Sequence, residues 1–294
     1  MKSNEQFSSL LVLLAAVLWG TTGTSQALAP AGVSPLSIGT VRLVIGGLTL
    51  LTLALWRRKL DLSMLRLRST WISAVSIAAY QLLFFAGVRL TGVAVGTIVT
   101  IGSSPIFAGL MAWLHSGERP ARRWINATIL CIVGAAFLVG GGGGSLTLNA
   151  QGLLMCLGAG LSYAAYAASS KELLITYPPE GVTGIVFSAG GLLLLPLLVI
   201  WPPVWLTSLQ GLTVALYLGV VATALAYILF TAGLVNIPFP RAVTLTLAEP
   251  LVAALLGLLL LGEPATGASL AGLVLVFSGL LLLTFQGKHP QTES

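Results

Sequence analysis

The chain has 294 residues, of which 56% are hydrophobic and only 7% charged, with a mean hydropathy of +0.99. Soluble globular domains carry about 25% charged residues, so that class is excluded. The net charge of +6 does not point to nucleic acid, because the basic residues sit in short loops between apolar runs, where they set membrane topology.

A helix needs about 20 apolar residues to cross a bilayer, and ten segments are predicted to do so: 7–29, 35–56, 69–89, 92–114, 124–142, 150–170, 181–201, 209–233, 240–261 and 266–285. Length rather than periodicity makes them helices. Within the first, Ala27-Leu28-Ala29 reads as a signal-peptide cleavage site. Pro30 would follow the cut, however, and a related run recurs at 153–170, so the segment is expected to stay as a span. Clusters of Gly, Pro and charge separate the segments, including WRRKLDLSMLRLR, HSGERPARR, the glycine run 140–144 and KELLITYPPE. That glycine run lacks the Gly-Lys-Ser/Thr ending of a phosphate loop, and no other nucleotide motif appears. No cofactor and no metal are expected. Cys131 and Cys156 both lie in apolar runs, as packing residues rather than a disulfide framework.

With the N-terminus inside, the inner loops receive Lys2, Arg57, Arg58, Lys59, Arg66, Arg68, Arg119, Arg122, Arg123, Lys171, Arg241 and Lys288. Only Arg89 falls outside, and Arg42 lies within the second span. This asymmetry predicts that both termini are cytoplasmic.

Two spans carry a proline in mid-span and end in Gly-Glu, and their landmarks are in register. Pro105 to Pro250, Gly117 to Gly262 and Glu118 to Glu263 are each 145 residues apart. Trp19, Thr22 and Gln26 in span 1 match Tyr163, Tyr166 and Ser170 in span 6 at an offset of 144, and each trio shares one helical face. Phe84 and Gly87 match Phe230 and Gly233 at 146. An internal duplication follows, 1–145 and 146–294. Five helices per repeat force the two copies into opposite orientations. The expected fold is therefore an all-α membrane protein with two inverted five-helix repeats, as in secondary transporters, where substrate binds near the midplane between the halves.

These motifs, with AAVLWG at 15–20, GAGLSYA at 158–164 and VRLVIGG at 41–47, resemble the drug/metabolite transporter superfamily, and within it the ten-helix EamA-type transporters. The resemblance covers essentially the whole chain. It implies a bacterial inner-membrane carrier exporting small metabolites, and the serine and aromatic content is most similar to aromatic and broad-range amino-acid exporters. The second repeat departs from the pattern, with Tyr163 in place of Trp and no arginine in span 7. A monomer is compatible with this reading.

Glu249 is the one carboxylate well inside a span, about 12 Å beyond Arg241. An ionisable group at that depth is costly and points to a substrate or ion path, where it would pair with a substrate ammonium or carry a proton. A structural alternative is a cap on the Thr246 carbonyl that Pro250 frees. Arg42, about 10 Å from the end of span 2, reads as an interhelical pin or a carboxylate partner. Ser76, Tyr80 and Phe84 form a polar and aromatic stripe on span 3, with Thr100 and Ser104 on span 4 and Tyr227 on span 8. Any one of these residues is explained by packing. Together with Trp19, Thr22, Gln26, Tyr163, Tyr166 and Glu249 they are expected to line a cavity for amphipathic small molecules. A carrier of sugars, polyamines or drugs is the alternative. A membrane enzyme would need clustered intramembrane His, Asp or Ser–Lys groups, and a channel would favour repeated filters or charged rings.

Overall fold

The computed structural model describes residues 2–117, 120–140, 149–260 and 266–284, and among them every regular element is helical. Eight helical stretches are long and apolar enough to cross a membrane. In chain order the α-helices are α1 Lys2–Gly20, α2 Thr22–Ala27, α3 Pro35–Trp56, α4 Arg68–Thr91, α5 Val93–Ser116, α6 Arg122–Gly140 and α7 Ala150–Leu173. They continue as α8 Pro179–Leu194, α9 Leu197–Ile200, α10 Leu209–Leu216, α11 Ala226–Leu234, α12 Phe239–Leu245, α13 Ala248–Leu260 and α14 Gly267–Thr284. Helix α6, which opens on two arginines, and the 16-residue α8 stand beyond the eight.

Local chemistry explains where these helices stop and bend. Thr21 separates α1 from α2, and its hydroxyl turns back to the Leu18 carbonyl at 2.6 Å. Pro35 opens α3 at a position where its missing N–H costs nothing. Pro196 stops α8 short of the predicted end at 201. Between α10 and α11 the chain widens into a π-helix, Tyr217–Leu225, in which the Thr223 hydroxyl donates to the Leu218 carbonyl at 2.7 Å. The two mid-span prolines act differently. Helix α5 runs unbroken through Pro105, whereas the span of Pro250 breaks into α12 and α13 at Thr246 and Leu247. The Thr246 carbonyl accepts the backbone N–H of Glu249 at 2.9 Å, and the alternative cap by the Glu249 side chain is not formed. Glu118, Gly262 and Glu263, and most of the glycine run 140–144, lie outside the described residues.

Helices pack in matched pairs: α4 along α7, α11 along α1, α3 along α8 and α6 along α14. Glycines let the backbones approach, as expected where lipid supplies no hydrophobic drive. A Cβ on Gly134 would lie 2.7 Å from the Val276 nitrogen and 2.9 Å from the Gly272 carbonyl, and one on Gly279 would lie 2.8 Å from the Ala127 carbonyl, beside Cys131. Each of these three positions (134, 131 and 127) lies 145 residues before its counterpart (279, 276 and 272). Gly87 against Gly152 and Cys156 likewise matches Gly233 against Ser8 and Val12, at offsets of 146 and 144.

One end of the bundle is closed by polar contacts. Arg241 meets Glu5 at 3.4 Å and Ser9 at 3.1 Å, and Asn236 donates to Ser8 at 3.0 Å. Lys171 donates to the Leu234 and Val235 carbonyls, both at 2.7 Å, where the α11 carbonyls end.

Candidate functional site

Aromatic side chains from five helices meet in the bundle interior. Trp19, the penultimate residue of α1, has its ring 4.8 Å from Tyr227 of α11, 5.7 Å from Phe230 and 6.3 Å from Tyr163 of α7. Tyr163 in turn meets Tyr80 of α4 at 5.5 Å and Tyr166 at 6.2 Å. Tyr80 stacks on Phe84 at 5.8 Å, and Phe187 of α8 approaches Tyr227 to 4.4 Å. The helical periodicity of 3.6 makes this possible, since Tyr80 and Phe84, and likewise Tyr227 and Phe230, are one turn apart on their helices.

Polar atoms inside this cluster lack partners. Trp19 and Tyr163 are each only 6% exposed, yet the Trp19 Nε1 and the Tyr163 hydroxyl make no hydrogen bond, and neither does Thr22 Oγ1 just beyond. An unsatisfied buried donor costs about 1–3 kcal/mol. Buried polar groups are normally paired, so these three unpartnered atoms single this interior out as the candidate site.

Two charges border the cluster. Arg42 of α3 is buried, and its Nε donates to Thr223 in the π-helix at 3.1 Å. Thr223 stands one turn before Tyr227. Glu249, in the first turn of α13, is half-buried, and its side chain has no hydrogen bond or ion pair among the described residues. Its carbonyl sits against Gly20, the neighbour of Trp19: a Cβ there would come within 3.0 Å. Arg42 and Glu249 act electrostatically on each other, and both act on Tyr80 and Tyr227.

The structure thus brings Trp19, Tyr80, Phe84, Tyr163, Tyr166 and Tyr227 into one continuous ring cluster with Glu249 beside it. The Tyr166 hydroxyl pairs with Thr231 at 3.4 Å. Thr22 and Gln26 lie half-buried on α2, beyond Trp19, and Ser76 lies half-buried one turn before Tyr80. Thr100 and Ser104 are not brought into the cluster. Thr100 donates to the Cys156 carbonyl at 3.2 Å and Ser104 to the Thr100 carbonyl at 2.7 Å, which places them in the α5–α7 seam around Gly160. Sequence reasoning passed over Phe187 and Thr223. The spacing of Thr223 four residues before Tyr227 carried a signal for the second, because it places both on one face. Phe187, isolated in an apolar run, offered none. A separate cavity of about 380 Å³ lies between the loops at Pro30–Ser34 and Ile200–Trp205, sharing no residue with the aromatic cluster.

Comparison with known proteins gives a consistent picture. The model of the EamA-like transporter family matches residues 6–140 and 150–285. An uncharacterised transporter of Bacillus subtilis, YwfM, is 42% identical over 293 residues, 99% of this chain and 98% of that protein. A probable terminal-alkyne amino-acid exporter of Streptantibioticus cattleyicolor is 28% identical over 77% of this chain and 74% of its own. A solved crystal structure with 20% identity covers 94% of this chain and 96% of its own with a TM-score of 0.79, which shows the same fold.

Proposed function

The chain belongs to the EamA-like transporter family, and from that premise we propose that it is a secondary transporter exporting small metabolites, chiefly aromatic and other neutral amino acids, by alternating access across the bacterial inner membrane. Its ten spans form two inverted five-helix repeats, residues 1–145 and 146–294, with both termini in the cytoplasm. The two stretches matched by the family model support this division, and so do the glycine contacts that recur at offsets of 144 to 146 residues. The charge asymmetry of the loops supports the orientation, which would put the Arg241–Glu5 and Lys171–Leu234 contacts at the cytoplasmic end.

The observation that carries the reading is the aromatic cluster itself. Trp19, Tyr80 and Phe84 come from one half of the chain, and Tyr163, Tyr166 and Tyr227 from the other. Unpartnered buried polar atoms lie among them. Rings supply apolar area for an amphipathic guest and the free donors fix its polar part. The amino-acid exporter among the relatives supports the substrate class.

A panel of radiolabelled amino acids in proteoliposomes, with and without a proton gradient, tests this proposal. Saturable counterflow of aromatic or other neutral amino acids is expected. If no amino acid moves, or if flux rises without saturating, the reading fails.

A further inference from the structure

We infer that Arg42 and Glu249 are the two poles of a zwitterion site, Arg42 receiving the carboxylate of the guest and Glu249 its ammonium, with the rings of Trp19, Tyr163 and Tyr227 between them. The inference deepens the amino-acid reading above and rests on it.

Three observations support it. First, two opposite charges share one largely apolar interior without pairing, since no ion pair of Arg42 or Glu249 exists among the described residues. Separated charges in a low dielectric are costly, and a guest carrying the complementary pair satisfies both at once. Second, Arg42 is held by only one of its nitrogens. Nε is fixed on Thr223, while the two terminal nitrogens have no partner among the described residues. That leaves part of the planar fork oriented and free, a geometry suited to a carboxylate. Third, two of the rings assigned to the region between the poles, Trp19 and Tyr163, carry buried polar atoms without a partner. Arg42 donates to Thr223, one turn before Tyr227, the Tyr227 ring lies 4.8 Å from that of Trp19, and the next residue, Gly20, packs against the backbone carbonyl of Glu249. A monocation would leave Arg42 unanswered and a monoanion would leave Glu249 unanswered, so the site favours molecules bearing both charges.

Competition for L-phenylalanine counterflow in proteoliposomes tests the assignment, with 3-phenylpropionate (no ammonium) and phenethylamine (no carboxylate) as probes. In the wild type each probe is expected to compete at least about tenfold more weakly than L-phenylalanine, as the loss of one charge-assisted contact implies. In Arg42→Gln the gap to phenethylamine should close while the gap to 3-phenylpropionate persists, and Glu249→Gln should do the reverse. If the wild type moves no amino acid of the panel, the amino-acid reading falls and this inference with it. If L-phenylalanine is moved but the gaps do not respond selectively, only the assignment of poles falls. Should a variant fail to fold, the wild-type ranking decides, because equal competition by either single-charge probe overturns the inference.

Discussion

Alanine at Gly134 is expected to destabilise the protein, although alanine is the better helix former. Helix propensity alone favours the change by about 0.5–1 kcal/mol. Against that, the new methyl carbon would sit 2.7 Å from the Val276 nitrogen, 2.8 Å from Val276 Cγ2 and 2.9 Å from the Gly272 carbonyl. Two of these neighbours are backbone, so no rotamer change relieves the contact and α6 must move off α14. Overpacking of this kind costs about 1–3 kcal/mol, which leaves a net loss of up to about 2.5 kcal/mol. Gly102 is the control on an adjacent helix, because the nearest atom to its added carbon is Ile132 Cγ2 at 3.4 Å. There propensity wins, and Gly102→Ala should be neutral or stabilising by up to about 1 kcal/mol. Gly279→Ala should resemble Gly134→Ala, and the pair should cost less than the sum, because the shift made for one methyl makes room for the other. Thermal unfolding of purified variants in detergent reads these differences. Gly134→Ala melting at or above Gly102→Ala would refute the reasoning.

Glu249→Gln should be produced and folded normally yet transport poorly, since it keeps the size of the side chain and removes its charge. Wild-type rates in a well-folded variant would remove this residue from the mechanism. Single cysteines at Trp19, Thr22, Gln26, Tyr163, Tyr166 and Ser170, in a background lacking Cys131 and Cys156, should react with polar thiol reagents and be slowed by substrate. Inertness at all six, with reaction along α14, would move the path elsewhere. Lys171→Met should lower stability by about 1 kcal/mol by removing two bonds to the Leu234 and Val235 carbonyls, and an unchanged melting temperature would show that water replaces them fully. Reporter fusions at Gly143 and Trp205 should read outside, and those at Lys59 and Pro179 cytoplasmic, so a cytoplasmic signal at Gly143 would overturn the topology.

Helix limits were legible where the chemistry is local. The span predicted at 35–56 is found at Pro35–Trp56, because a proline opens it and Arg57 follows its last apolar residue. The span predicted at 181–201 ends at Leu194 instead, since hydropathy alone carries the count past Pro196. The pairing of Trp19 with Tyr163 was foreshadowed by their common offset, and their rings do meet. The π-helix was not legible. It accompanies an i,i+5 bond of Thr223 and the approach of Arg42 from another helix, which no local pattern encodes. Thr100 and Ser104 looked like cavity residues because, four residues apart, they share one helical face. Which neighbour covers that face is a tertiary fact, and Gly160 of α7 brings its backbone against it.

Pro105 and Pro250 occupy matching positions, yet one lies in a continuous rod and the other beside a joint. Val93–Ser116 can tilt only as a unit, whereas Phe239–Leu245 and Ala248–Leu260 can change direction independently about Thr246 and Leu247. Glu249 and Arg241 lie on opposite sides of that joint, so a bend there would alter the distance between the interior carboxylate and the ion pair that fastens the start of α1. The two halves of the molecule are therefore mechanically unequal.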